Sequence, residues 1–312
     1  MKPIFTDDTA ARGHLEKLRW PDGPVCPHCG NADQAKIAKL KGTSHRPGLY
    51  QCNECREHFT VTVGTVMERS HIPLHKWVYG FHLMAASKKG VSAHQLHRML
   101  GITYKTAWFM AHRIREAMRL DGSAEPMGGA GRIVEADETY LGNQEFPTDP
   151  ETGKPYRMIG KRRGFAYKRA ILTLVERGGS VRTFHVGATD QFTVRKIVHE
   201  NVSRESRLHT DESKLYFGSD KIFASHETVK HSAKEYARGD VHVNSAEGYF
   251  SIFKRGMRGI YQHCAEKHLH RYLAEYDFRY NHRVALGFDD GERAAMALKG
   301  AEGKRLTYRQ PH

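Results

Sequence analysis

The stretch RIVEADETYLG, residues 132–142, decides how the chain is read. Ile133, Val134 and Ala136 lead up to Asp137, so a strand over Arg132 to Asp137 is predicted. It sets a carboxylate at a strand's C-terminal edge, where strands feed active-site loops. A second short strand is predicted over Arg207 to Thr210, with Asp211 directly after it in HTDES, residues 209–213. A third carboxylate, Glu247, stands near the start of a helix predicted over 244–258 in HVNSAEGYFSIFKRGMRG, residues 242–259. Carboxylates that converge from separated segments repel unless divalent cations neutralise them. Oxygen donors of this kind suit Mg²⁺ or Mn²⁺. Two such ions about 3.5 to 4 Å apart support phosphoryl transfer without a protein nucleophile.

The neighbours of these residues fall into place by periodicity. Glu138 and Glu212 alternate away from Asp137 and Asp211 and read as salt-bridge or positioning residues, whereas Glu135 shares Asp137's strand face. Seven helical steps of 100° put Lys254 on the face of Glu247, about 10 Å further along. Arg255 and Arg258 extend that basic surface toward phosphates. Asn244 reads as a helix N-cap, His209 and His242 as packing or phosphate-contacting residues, and Tyr249, Phe250 and Phe253 as core.

Outward from these motifs, Arg169 to Val175 and Val181 to Val186 predict a hairpin around Gly178-Gly179, and Thr193 to Val202 a helix. Strands first and flanking helices later indicate an α/β layer domain over 132–290. A Pro- and Lys/Arg-bearing loop is expected over 143–163. Its run Lys161-Arg162-Arg163 either contacts DNA or is a solvated loop. The Gly- and Pro-containing segment DGSAEPMGGAG, 121–131, reads as a linker, and 291–312 as a C-terminal tail.

Ahead of the linker, residues 1–23 suggest a helical segment, and 24–65 a small cysteine module with too little apolar material to fold without a metal. Cys26-Pro27-His28-Cys29-Gly30 and Cys52-Asn53-Glu54-Cys55 are knuckles 22 residues apart, a spacing that closes four thiolates around one structural Zn²⁺. Gly30 lets the first turn curl back. Disulfides and iron are the lesser alternatives, His28 and His58 read as bystanders or DNA-facing residues, and Cys264 as a small apolar residue. Over 66–120, a helix from Leu74 to about Ser87 precedes SAHQLHRMLGITYKTAWFMAHRIREAM, 92–118, a helix, a turn at Gly101 and a longer helix. This is a helix-turn-helix pattern. Lys105, Arg113 and Arg115 beside the stripe Ala107, Met110, Ala111 and Ile114 are the expected DNA contacts, and the alternative is a plain hairpin with solvated basic residues.

Charge agrees with a polyanionic partner. The 312 residues carry 49 Lys and Arg against 35 Asp and Glu, a net charge of +14, and neutralising phosphates releases counterions. The N-terminus lacks a signal peptide's apolar core and no run approaches the ~18 apolar residues of a membrane span. A cytoplasmic protein, nucleoid-associated in a bacterium, with no membrane partner is expected.

At VEADETYLG, HTDESKLYFG and HVNSAEGYFSIFKRGMRGIYQHCAEKHLHRYLAEYDFRYNHR, the chain resembles bacterial insertion-sequence transposases that carry an RNase H-like DDE domain of the ISXO2-like kind behind a zinc ribbon. The resemblance implies metal ligands Asp137, Asp211 and Glu247, a DNA-contacting Lys254, and zinc at Cys26, Cys29, Cys52 and Cys55. Some relatives have Asn at the third acidic position, where this chain has Glu247. It further implies an RNase H-like mixed sheet flanked by helices, cleavage at element ends, transfer of the 3′ hydroxyl to target DNA, and a dimer or larger assembly on DNA. A transposase-derived regulator and a metal-dependent nuclease without strand transfer are the rival functions.

Overall fold

The computed structural model describes residues 1–120, 125–143, 151–152, 168–187 and 189–307. Most of the expected 143–163 loop, including Lys161, Arg162 and Arg163, and linker positions 121–124 lie outside the described residues. The chain divides into two compact units, Met1–Arg119 with His282–His312, and Leu120–Asn281.

In the first unit, helix α1 (Asp8–Arg19) starts where the Asp7 carboxylate accepts from the Ala10 N–H. A three-stranded antiparallel sheet follows, ordered β1 (Ile37–Lys39), β2 (Tyr50–Cys52), β3 (His58–Phe59). Its small core is aromatic. Trp20 stands edge-on to Tyr50 and Phe59 at 5.5 and 5.7 Å, and those two rings stack at 5.5 Å.

Helices α2 (Leu74–Ala86), α3 (Ala93–Leu100) and α4 (Tyr104–Met118) come next. Ser92 and Thr103 cap α3 and α4 by accepting from the N–H three residues on, and Gly101 takes φ +57° between them. L-residues with a Cβ resist that conformation, which explains the glycine. Predicted as a tail, residues 291–312 instead include most of a capped helix, α8 (Asp290–Lys299), that packs on α2 within this unit. Arg293 donates to the Ala85 carbonyl, and the Val66 N–H donates to Ala301 O. The 132–290 domain accordingly loses its last residues to the first unit, because the second unit ends at Asn281. The apolar side chains of α8, Ala294, Ala297 and Leu298, are buried.

The second unit is built on a five-stranded sheet from β4 (Ile133–Asn143), β5 (Lys168–Glu176), β6 (Val181–Val186), β7 (Arg207–Asp211) and β8 (Ser225–Val229), in the order β6-β5-β4-β7-β8. Strands β4, β5 and β6 are antiparallel neighbours, whereas β7 and β8 run parallel to β4. This is the RNase H-like arrangement. Alternation splits the core into two layers. Val134, Ala136, Leu172, Leu174 and Leu208 pack with Val194 and Val198 of α5 (Gln191–Asn201) on one face. On the other, Ile171, Val175 and Val181 meet α6 (Asn244–Gly256) and α7 (Leu269–Asn281). There, Tyr249, Phe250 and Phe253 are core. Among the described residues no helix is long and apolar enough to cross a membrane.

Candidate functional site

Strand β4 does not end at Asp137 as expected. It runs six residues further because β5 pairs with it as far as Asn143. Its parallel pairing with β7, however, stops at Glu135 opposite His209. Two residues beyond that last pair stand Asp137 and Asp211, the latter the final residue of β7. Adjacent strands lie about 4.8 Å apart and side chains alternate, so the two carboxylates share one face and one level of the sheet. Glu247, in the first turn of α6, lies on the helix that covers this face.

The electrostatics record their convergence. Burial, and then the charges of Glu138, Asp211 and Glu247, push the Asp137 carboxyl up to about 8, against the pull of the Glu138 N–H. Glu138 is likewise raised by burial and by Asp211, while the buried Tyr216 hydroxyl, 2.8 Å away, restrains it. A cluster that keeps a proton at neutral pH for want of positive charge fits hard divalent cations. Among the described residues these carboxylates do not draw together into one compact donor set, as the four cysteines do.

Lys254, half-buried beside the Phe250 ring, is lowered by burial and by Arg258 and Lys168, with Asp137 opposing. The lysine is therefore electrically coupled to the carboxylate cluster, as the seven-residue spacing implies. Arg255 and Arg258 are exposed. Glu212 points away and accepts from Ser232 N and Oγ at 2.9 and 2.8 Å. His209 packs, wholly buried against Glu227 at 2.9 Å. Asn244 does not cap α6. Glu135 does so from the sheet, accepting from Ser245 N at 2.8 Å and Ala246 N at 3.2 Å. In the sequence, Glu135 shows only that it shares Asp137's strand face. That two-residue spacing was the available signal for its role.

In the first unit, the Sγ atoms of Cys26, Cys29, Cys52 and Cys55 all lie within 4.8 Å of one another. The Cys26–Cys55 and Cys29–Cys52 separations of 3.6 and 3.7 Å are too long for disulfides. They match the roughly 3.8 Å edges of a tetrahedron with 2.3 Å Zn–S bonds. Each knuckle turns back through a left-handed residue directly after its second cysteine, Gly30 at φ +76° and Arg56 at φ +64°. His28 and His58 are exposed and outside the donor set, and Cys264 packs against the α6–α7 core.

The three expected DNA contacts on α4 have different fates. Lys105 is exposed at the helix start. Arg113 is half-buried, stacked on Phe109 at 4.8 Å and donating to Leu306 O and Glu68 O. Arg115 is 2% exposed and so is no surface contact. The C-terminal segment also lies on this helix: α8 packs on α4, and the Lys304 ammonium donates to Ala117 O at 3.3 Å.

Residues 128–281 match the family described as ISXO2-like transposase domain, and residues 6–58 the transposase zinc-ribbon domain. A Halobacterium salinarum protein, described as an uncharacterized protein in transposable element ISH50, is 27% identical over 270 residues, 83% of this chain and 88% of that one. The chain is also similar to a pre-cleavage Mos1 transpososome, at 12% identity and a TM-score of 0.28 over 67% of this chain and 70% of that one. The Mos1 strand transfer complex shows the same identity and TM-score over 74% and 79%.

Proposed function

Because the chain belongs to the transposases that couple a zinc-ribbon domain to an ISXO2-like transposase domain, we propose that it cleaves DNA at the ends of its own element and joins the freed 3′ hydroxyl to target DNA. Asp137, Asp211 and Glu247 would hold two divalent ions, Mg²⁺ or Mn²⁺. Bound ions of this kind activate an attacking water or 3′ hydroxyl and stabilise the leaving oxygen. Asp137 gives up its proton when positive charge arrives, and the sheet keeps it level with Asp211. Lys254 places an ammonium beside the carboxylates, where it holds a phosphate of the strand to be cut, and Arg255 and Arg258 continue the track along the backbone.

Zinc-braced residues 24–65, together with α3 and α4, recognise the element's ends, with Lys105 the exposed cation at the start of α4. Two ends must be brought together, so two or more chains assemble on DNA. A mass measurement finding one chain per pair of joined ends would refute that assembly.

The observation that carries the reading is the adjacency of Asp137 and Asp211 on parallel strands, with Asp137 raised to about 8 by burial and then by its carboxylate neighbours. Its test is strand cleavage and joining on DNA bearing the element's ends, with Mg²⁺, for the wild type and for Asp137→Ala, Asp211→Ala and Glu247→Ala. Joined products from the wild type, lost in all three variants while DNA binding persists, are expected. Binding without any wild-type cleavage would instead make the protein a regulator. Cleavage without joining would make it a nuclease.

A further inference from the structure

We infer that Glu135 is a positioning residue: it clamps the first turn of α6 to strand β4 and so sets Glu247 against Asp137. The inference rests on the metal-binding reading of those two carboxylates. Glu135 is completely buried, and its side chain meets Ser245 and Ala246 at the start of α6, Arg177, and His242 just ahead of the helix, whose Nδ1 lies 3.3 Å away. One carboxylate oxygen accepts from the N–H groups of Ser245 and Ala246 at 2.8 and 3.2 Å, and the other from the Ser245 hydroxyl at 3.0 Å. The first N–H groups of a helix have no partner within it, and α6 brings no side-chain cap of its own after Val243. A carboxylate there also meets the positive end of the helix dipole.

Arg177 completes the clamp. It reaches the same carboxylate through Nε and Nη2 at 2.9 and 2.8 Å, so no lone charge is buried. It also donates to the carbonyls of Asp240 and His242 at 2.8 and 3.2 Å and meets the His242 and His209 Nδ1 atoms at 3.1 and 3.4 Å, which fixes the chain entering α6. With these donors on both oxygens, Glu135 has little capacity left to serve as a ligand itself.

The spacing explains why the clamp acts on the site. Glu135 and Asp137 are two residues apart on one strand face, about 7 Å along it. Ser245 and Glu247 are two residues apart in the first turn of the helix. Joining 135 to 245 therefore fixes 247 relative to 137 with only two residues of slack on each side. A Ser, Thr or Asp at the N-cap would satisfy the helix without burying an ion pair. Capping from the strand does what a local cap cannot: it sets where the helix stands over the sheet.

The test uses the full zinc-loaded chain. Backbone amide exchange at Ser245 and Ala246 is followed without divalent ions, and Mn²⁺ binding is measured by calorimetry, for the wild type, Glu135→Gln and the milder Ser245→Ala. In Glu135→Gln, exchange at Ser245 and Ala246 is expected to accelerate at least about tenfold while Leu172 and Leu174 of β5 stay protected. Mn²⁺ affinity is expected to fall by about 10-fold or more, the usual effect of losing a group that orients a ligand. Ser245→Ala moves both readouts the same way by a smaller factor, and serves alone if Glu135→Gln does not fold. Unchanged exchange, or faster exchange with wild-type Mn²⁺ affinity, would overturn the inference. A wild type whose Mn²⁺ binding is absent, or is unaffected by Asp137→Ala, would overturn the metal-binding reading beneath it.

Discussion

Tyr249 on α6 donates its hydroxyl to Asp277 on α7 at 2.6 Å, deep between the two helices and strand β6. Thr183 of β6 adds its N–H at 2.9 Å and its hydroxyl to the same carboxyl group. Complete burial pushes Asp277 up to about 7, although all of these donors pull the other way. An unfolded aspartate titrates near 3.9, so the folded chain holds the extra proton between those values. Asp277 thus contributes stability that is full below about pH 4 and is lost as the pH rises through about 7. Asp277→Asn should remove that slope. All three tryptophans lie in the other unit, so the readout is amide exchange at Leu172 and Leu174, corrected for its intrinsic pH dependence. Protection that falls from pH 5 to pH 8 less steeply in Asp277→Asn than in the wild type is expected, because Asp137, held up to about 8 in the same unit, keeps a slope of its own, and parallel profiles would refute the assignment.

Removing zinc is expected to unravel the ribbon and spare the second unit. Trp20 packs on Tyr50 and Phe59, which flank the four-cysteine site, so its fluorescence should shift when a chelator is added, while β5 amides remain protected. Metal analysis should find one zinc per chain, lost in Cys52→Ser and kept in Cys264→Ser. Retained zinc in Cys52→Ser would show that the cluster is not the binding site.

Arg56→Gly should stabilise the ribbon. Arg56 is exposed and holds φ +64°, a conformation that costs a residue with a Cβ roughly 1 kcal/mol and glycine almost nothing. A higher thermal midpoint by Trp20 fluorescence is the expected result. An unchanged or lower midpoint would mean that the arginine makes a compensating contact.

Gly300→Ala should destabilise the first unit. A Cβ at this position would meet the Ala117 carbonyl oxygen at 2.4 Å, a backbone atom that cannot swing aside as a flexible side chain can. Overpacking of this kind costs about 1 to 3 kcal/mol. Denaturant unfolding followed by tryptophan fluorescence reads it directly, and a midpoint equal to wild type would contradict the close approach.

Lys254→Gln should weaken DNA binding about equally on every sequence. It should also reduce the salt slope by about one unit, as losing one phosphate contact does. Binding titrations across a salt series give the slope. A variant with wild-type slope and slower cleavage would place the lysine's action on the reaction instead of on the DNA backbone.

The local readings were legible because their physics is local. Two Cys-x-x-Cys knuckles with Gly30 encode their own turns, Ser92, Gly101 and Thr103 encode a helix, a break and a helix, and Gly178-Gly179 encodes the β5–β6 hairpin. Asp137, Asp211 and Glu247 stood out in the chain because each follows or opens an apolar run. Their level on the sheet depended on a parallel register between segments some 70 residues apart, which leaves no periodic mark in either strand. Arg115 looked like a surface cation because its own helix leaves that side open. Its burial is decided by packing outside its own helix. The same holds for Glu135, whose partners lie 110 and 111 residues away. Turns, caps and metal knuckles are determined by bonds among neighbours and so are written in the sequence. Which carboxylates come level on the sheet and which one accepts from a helix's first N–H groups is decided only when distant segments pack, since burial and charge depend on everything that surrounds a group in space.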